Sequence, residues 1–327
     1  MSIPASHPHH RPTPLLDSER AIRVLIAWNP SSTRADAIDF AAWLGRTARI
    51  TVRVLSTFVE PWPAASLHKL GGKYGKWFTK EADRCRKTVA KALTEAEIPE
   101  DYWDDDYSVL IDGPSKPHLL TDAASDFGAD VILLGPNQAA PKGRFLAGST
   151  ADALLHYSPV PLGLTPRKPK LSKHGVTRVN FAFTDNHGSN EDPALGSAAA
   201  LADAWGVPLR IVAFSPSGFM DTPMNSKVDV SAEFAHQWRE HSLALLDCAR
   251  DNVVENFPDL TVSTAIGSGS GWGGAVDSLK WKKGDLMVLG SNPLGPFARV
   301  FIGSTATELI PHMGVPVLVR PGENRKA

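Results

Sequence analysis

The most constraining feature of this sequence is a stretch that it uses twice. Residues 130–166 align on 285–321 without a gap, at an offset of 155, and 14 of the 37 positions are identical. Chance at roughly one identity in twenty would give about two. In each copy an apolar run, Val131–Leu134 or Leu286–Leu289, ends in a glycine, Gly135 or Gly290. After twelve further residues comes Gly-Ser-Thr: Gly148, Ser149 and Thr150 in the first copy, Gly303, Ser304 and Thr305 in the second. An apolar-periodic segment follows, and each copy closes on a short apolar run, Val160–Leu164 or Val315–Val319. The chain is a tandem repeat.

A continuous apolar run of this length reads as a parallel strand buried on both faces. Ser149 and Ser304 suit the N-cap of the segment that follows. A helix start offers free N–H groups and the positive end of a dipole, which together suit an anion.

The rest of the chain fits the same plan. In the first copy, strands are expected at Ile22–Trp28, Ile50–Leu55 and Tyr107–Ile111 before the two repeat strands. In the second they fall at Thr177–Phe183, Leu209–Phe214 and Leu260–Ile266. Helical patterns lie between them, over 37–44, 77–97 and 119–127, then near 194–201, 232–256 and 276–281. Such alternation requires right-handed crossovers and parallel pairing. The expected fold class is therefore α/β: two tandem five-stranded parallel sheets with helices on both faces, Rossmann-like. Doubly wound sheets bind ligands beyond the carboxyl ends of their strands. Those loops are Asn29–Thr33, Gly113–Pro114 and 135–148 in the first copy, and Thr184–Asp192, 267–274 and 290–303 in the second.

The divisions follow. Residues 1–20, rich in Pro and His, read as a tail, and the clustered His7, His9 and His10 there are not expected to make a defined metal site. Domain one is 21–166, with an irregular Pro- and Gly-containing connection from Glu60 to Lys76. Residues 167–175 are polar and basic and read as a solvated tether. Domain two is 176–321, and 322–327 is a second tail.

Composition excludes several functions. At 43% apolar, 21% charged and net charge −1, the chain has no general affinity for nucleic acid or an anionic membrane. No apolar run approaches the roughly 18 residues of a membrane span, and no signal-peptide core opens the chain; a cytoplasmic protein is expected. Cys85 and Cys248 cannot build a disulfide framework or a zinc site. Neither glycine loop ends in the Gly-Lys-Ser/Thr of a P-loop, and no Gly-x-Gly-x-x-Gly follows the first strand. No elbow motif surrounds Ser149 or Ser304, and no nucleophile–base pair stands out. Binding without catalysis is the expectation.

At Gly135, Gly148-Ser149, Gly290 and Gly303-Ser304 the chain resembles the universal stress protein family, over nearly its whole length, as two family domains in tandem. The family's nucleotide motif is Gly, two residues, Gly, nine residues, then Gly-Ser or Gly-Thr. Its middle glycine is replaced here by Gln138 and Pro293. The resemblance implies an adenine nucleotide, ATP, with magnesium, held by the glycine loops and by Ser149, Thr150, Ser304 and Thr305. Asn137 and Asn292 stand at the same place in both loops and could add an amide. The family's adenosine-contacting acid falls on Asn29 in the first copy and, across a two-residue insertion, on Asp185 or Thr184 in the second; an acid at Asp185 tilts the expectation towards the second copy. Two readings stay open: these residues hold nucleotide, or they merely cap helices in a nucleotide-independent regulatory module that binds partner proteins. The resemblance also implies pairing through the last strand, so the two copies are expected to associate through Val160–Leu164 and Val315–Val319, as a pseudo-dimer.

Overall fold

The computed structural model describes residues 20–32, 34–59, 72–183, 193–217, 231–290 and 304–320. The first half runs β1 (Ile22–Ala27), α1 (Asp36–Gly45), β2 (Ile50–Val59), α2 (Gly72–Glu95), β3 (Trp103–Gly113), α3 (Lys116–Phe127), β4 (Val131–Leu134), α4 (Ser149–Tyr157) and β5 (Leu162–Leu164). The second repeats it as β6 (Arg178–Ala182), α5 (Pro193–Ala204), β7 (Leu209–Ser217), α6 (Ser231–Asn256), β8 (Val262–Ser270), α7 (Gly271–Asp277), β9 (Asp285–Gly290), α8 (Ser304–Leu309) and β10 (Val317–Arg320). Among the described residues no helix is long and apolar enough to cross a membrane.

Each half is the five-stranded parallel sheet that its sequence requires, but the two sheets are one. The strand order is β3-β2-β1-β4-β5-β10-β9-β6-β7-β8, a palindrome of equivalent strands, as an approximate two-fold demands. The junction is antiparallel, with Val317 opposite Leu164 and Val319 opposite Leu162. The paired residues of both strands are apolar and buried, and each strand would otherwise be a bare sheet edge. Pairing them satisfies the edge N–H and C=O groups and covers the side chains in one step.

Two apolar layers cover the sheet, and both run through the two halves. Ile38, Phe40 and Trp43 of α1 and Val89 of α2 share one layer with Leu195 of α5 and Leu246 of α6. Leu120 of α3 and Leu154 of α4 share the other with Val276 of α7 and Leu309 of α8. Strand alternation feeds both: Val24 and Ile26 face the first layer, Leu25 the second. Each fully buried aliphatic side chain contributes about 1.5–3 kcal/mol, so these layers carry the stability.

Three expectations need correction. Residues 167–175 are no solvated tether. Arg167 exchanges backbone bonds with Gly143 and Arg144, Lys168 N–H donates to Asp36, and Ser172 N–H donates to the carbonyl of Lys283. Polar composition suggested solvation, but the backbone donors were spent on both halves. The connection 60–76 is shorter than expected, because α2 begins at Gly72; residues 60–71 lie outside the described ones. The glycines of 267–274 form no loop. They lie in β8 and α7, where a Cβ on Gly269 would meet the carbonyl oxygen of Gly274 at 2.5 Å and one on Gly267 that of Ala275 at 2.5 Å. Glycine is needed there for close strand–helix contact.

The amino ends of the central strands hold buried ion clusters. Asp285 is fully buried, and its Oδ1 and Oδ2 accept from Arg178 Nε and Nη2 at 2.7 and 2.6 Å. Lys282 N–H adds a third bond at 2.7 Å. Arg210 donates to Asn180 at 2.6 Å, and burial and the neighbouring Arg178 push its pKa down to about 10. The equivalent Asp130 accepts from Arg20 Nη2 and Arg23 N–H, both at 2.8 Å.

Candidate functional site

In the first half, the carboxyl ends of β1 and β4 meet the first turns of α3 and α4 around a cleft of about 470 Å³. Its wall is built from three chain segments, with Lys116 of α3 added beside them. The first leaves β1 through Trp28 and Asn29. Asn29 Oδ1 accepts from Ser31 N–H and Oγ–H at 3.0 and 2.8 Å, closing an Asx turn. That turn occupies the amide oxygen and leaves the Nδ2 donors. Trp28 Nε1 donates to the carbonyl of Arg34 at 2.7 Å and so fixes the start of α1.

The second segment is the loop from Gly135 to Gly148. Phe145 and Ala140 are buried beneath it and hold it to the fold. Asn137 N–H bonds Leu146 O at 2.9 Å, and Asn137 Oδ1 accepts from Ala139 N–H at 2.9 Å. A Cβ placed on Gly135 would meet no atom within 4 Å, and one on Gly148 only Asn137 Nδ2, at 3.5 Å. Neither glycine has positive φ. The protein's own packing therefore does not demand glycine at Gly135. At its counterpart Gly290 it does, since a Cβ there would lie 2.6 Å from the Cβ of Ala194.

The third segment is the start of α4. Gly148 is the N-cap, and Ser149 is the first helical residue with no capping bond from its side chain. This displaces the expected Ser149 cap by one position: Gly148 takes the extended conformation, with ψ of 173°, that an N-cap needs. Thr150 lines the cleft, whereas Ser149 is exposed and outside it. Gln138, at the place of the middle motif glycine, lines the mouth.

Of the expected first-half residues, the structure thus gathers Asn29, Gly135, Asn137, Gly148 and Thr150, and leaves out Ser149. In the second half Gly290 ends β9, Ser304 opens α8, and Thr305 is half-buried. Asp185, Asn292 and Gly303 lie outside the described residues.

Sequence reasoning missed three charged residues of the cleft. Arg34 Nη2 donates to the carbonyls of Pro136 and Asn137, each at 3.2 Å, and its Nη1 is buried with no acceptor. Asp36, also buried, accepts from Lys168 N–H at 2.9 Å and lies 3.6 Å from Arg34 Nε. Lys116, at the first turn of α3, has no hydrogen bond or ion pair among the described residues, and burial lowers its pKa. Arg34 and Lys116 stand one and two residues beyond the strand-end loops, a signal available to a reader scanning for cations there.

The loop also reaches across the junction. Arg144 Nη2 donates to both carboxylate oxygens of Asp277 in α7, at 2.9 and 3.0 Å, and its Nη1 donates to His312 O at 2.7 Å. The wall of the first cleft is fastened to the second half. Among the described residues no group of three His, Cys, Asp or Glu could hold a metal ion.

The fold and its strand-end cleft define a tandem α/β protein of the doubly wound class. Residues 22–166 and 178–321 each match the model of the universal stress protein family, and the chain belongs to that family. It is 29% identical over 302 residues to universal stress proteins of Mycobacterium tuberculosis (strain ATCC 25618 / H37Rv) and Mycobacterium bovis, covering 91% of this chain and 99% of each relative. A crystal structure of a universal stress protein from Archaeoglobus fulgidus DSM 4304 superimposes with a TM-score of 0.59 at 19% identity, over 91% of this chain and 98% of that one. A functionally unknown protein from Pseudomonas aeruginosa PAO1 gives 0.52 at 13%, over 93% and 94%. These two likenesses concern the fold.

Proposed function

We propose that the first-half cleft binds an adenine nucleotide, ATP, without rapid turnover, and that the chain serves a cytoplasmic stress response through that bound state. The observation that carries this reading is Gly135. Among the described residues nothing fills the space that its side chain would take, and no backbone strain requires glycine there. A close-approaching ligand is the remaining reason for a bare backbone at a cleft wall. The N-terminus of α4 and the cations of Arg34 and Lys116 make that ligand an anion. Among the described lining residues the one carboxylate, Asp36, is bonded to Lys168 N–H and faces Arg34, so it is not free to activate a water, which favours holding a nucleotide over hydrolysing it.

The second reading is a nucleotide-independent module that contacts partner proteins. Its support is Gln138 at the motif's middle glycine, together with Arg34 resting on the loop carbonyls. A thermal shift separates the two. ATP at about a hundred times its Kd stabilises a binding protein by about 2.7 kcal/mol, which for a chain of this length raises Tm by about 4 °C. No shift at millimolar ATP leaves the partner-binding reading.

A further inference from the structure

We infer that Arg34 and Lys116 supply the charge that neutralises the polyphosphate in the first-half cleft, so that nucleotide binds there without a divalent cation. The inference rests on the nucleotide reading above and specifies how that site is loaded.

The cleft carries two cations and one carboxylate among its charged side chains. The carboxylate, Asp36, is already committed to Lys168 N–H and to Arg34 Nε. Magnesium at nucleotide sites is held by phosphate oxygens with one or two protein carboxylates, and among the described lining residues the only carboxylate faces a guanidinium. The cations, in contrast, are short of acceptors. Arg34 makes two long bonds to carbonyls and keeps Nη1 buried without any partner, a state that costs free energy. Lys116 has no ion pair among the described residues, and burial lowers its pKa.

Both side chains line the cleft, so a phosphate chain held there meets two positive charges. Guanidinium and ammonium bind phosphate through charge-assisted hydrogen bonds, and the guanidinium offers two in one plane. Adding magnesium halves the charge of the nucleotide and places a like charge beside both side chains. It should weaken binding, not enable it.

The test is calorimetric titration of the intact chain with ATP, once in EDTA and once in excess magnesium. The expected result is affinity in EDTA equal to or tighter than that in magnesium. Arg34→Met and Lys116→Met are each expected to weaken binding in EDTA about tenfold, the size of a lost charge-assisted bond. They should also reverse the response to magnesium, since the cation then supplies missing charge; a merely structural role would leave that response unchanged. Lys116 is half-exposed at a helix start, so its variant keeps the test open if Arg34→Met misfolds. Binding that appears only with magnesium overturns this inference and leaves the nucleotide reading intact. Absence of binding in both buffers overturns both.

Discussion

Val317→Asp is expected to destabilise the whole chain by about 3–5 kcal/mol, the range for an unpaired charge forced into a core. Val317 is 1% exposed and lies between two strands, opposite Leu164 of β5 on one side and beside Met287 of β9 on the other. Leu164 is completely buried. An aspartate there has no partner, must remain charged or take up a proton, and leaves the valine's packing space unfilled. Among the described strands this one pairs the two half-sheets, so the damage reaches both. Urea unfolding followed by far-UV circular dichroism, with limited proteolysis of 167–175, measures it. The same change at Val59, which is 44% exposed, should shift stability by no more than about 0.5 kcal/mol. Equal midpoints for the two variants would mean that the β5–β10 seam does not hold the halves together.

Asp285→Asn is expected to cost a similar amount, about 3–5 kcal/mol, through a different cause. Among the described residues the carboxylate is the one anion facing Arg178 and Arg210, and it accepts three hydrogen bonds while fully buried. An amide offers one oxygen and turns an NH₂ towards a guanidinium. Arg210, whose pKa burial and the neighbouring Arg178 already lower, and Arg178 itself are then left without that compensating charge. Asp130→Asn should cost less, because its side-chain partner Arg20 is 42% exposed and can return to water. Thermal unfolding of both variants checks the order. A smaller loss at Asp285 than at Asp130 contradicts the account of the cluster.

Much of this architecture was legible in the residues. The fully apolar runs Val131–Leu134 and Leu286–Leu289 specified central strands because only a strand covered on both faces tolerates them. The short apolar ends of each copy signalled an edge that needs covering, and the two edges cover each other. Other features were hidden for physical reasons. Periodicity does not record how closely two backbones approach, so Gly267 and Gly269 looked like loop glycines when they are contact points between β8 and α7. Polarity in 167–175 reported solvated side chains and said nothing of backbone donors bound to Asp36 and Lys283. The cleft was half legible. Glycine spacing located its wall, but the search for an acid after the first strand passed over Arg34 and Lys116, whose role depends on side chains meeting from α1 and α3. The equivalent acid of the second copy, Asp185, lies outside the described residues, so the first cleft is where the geometry bears on function.

The central claim is that the first-half cleft holds a nucleotide against the bare backbone of Gly135. Isothermal titration of the intact chain with ATP, compared with Gly135→Leu, tests it most directly. The leucine has open space towards the cleft and no protein atom within 4 Å of its Cβ, so the fold should be kept, as circular dichroism can verify. The account predicts saturable heat with the native chain, and loss of one bound nucleotide per chain in a Gly135→Leu variant that melts normally. No saturable heat with the native chain, or the same stoichiometry and affinity in the folded variant, contradicts it.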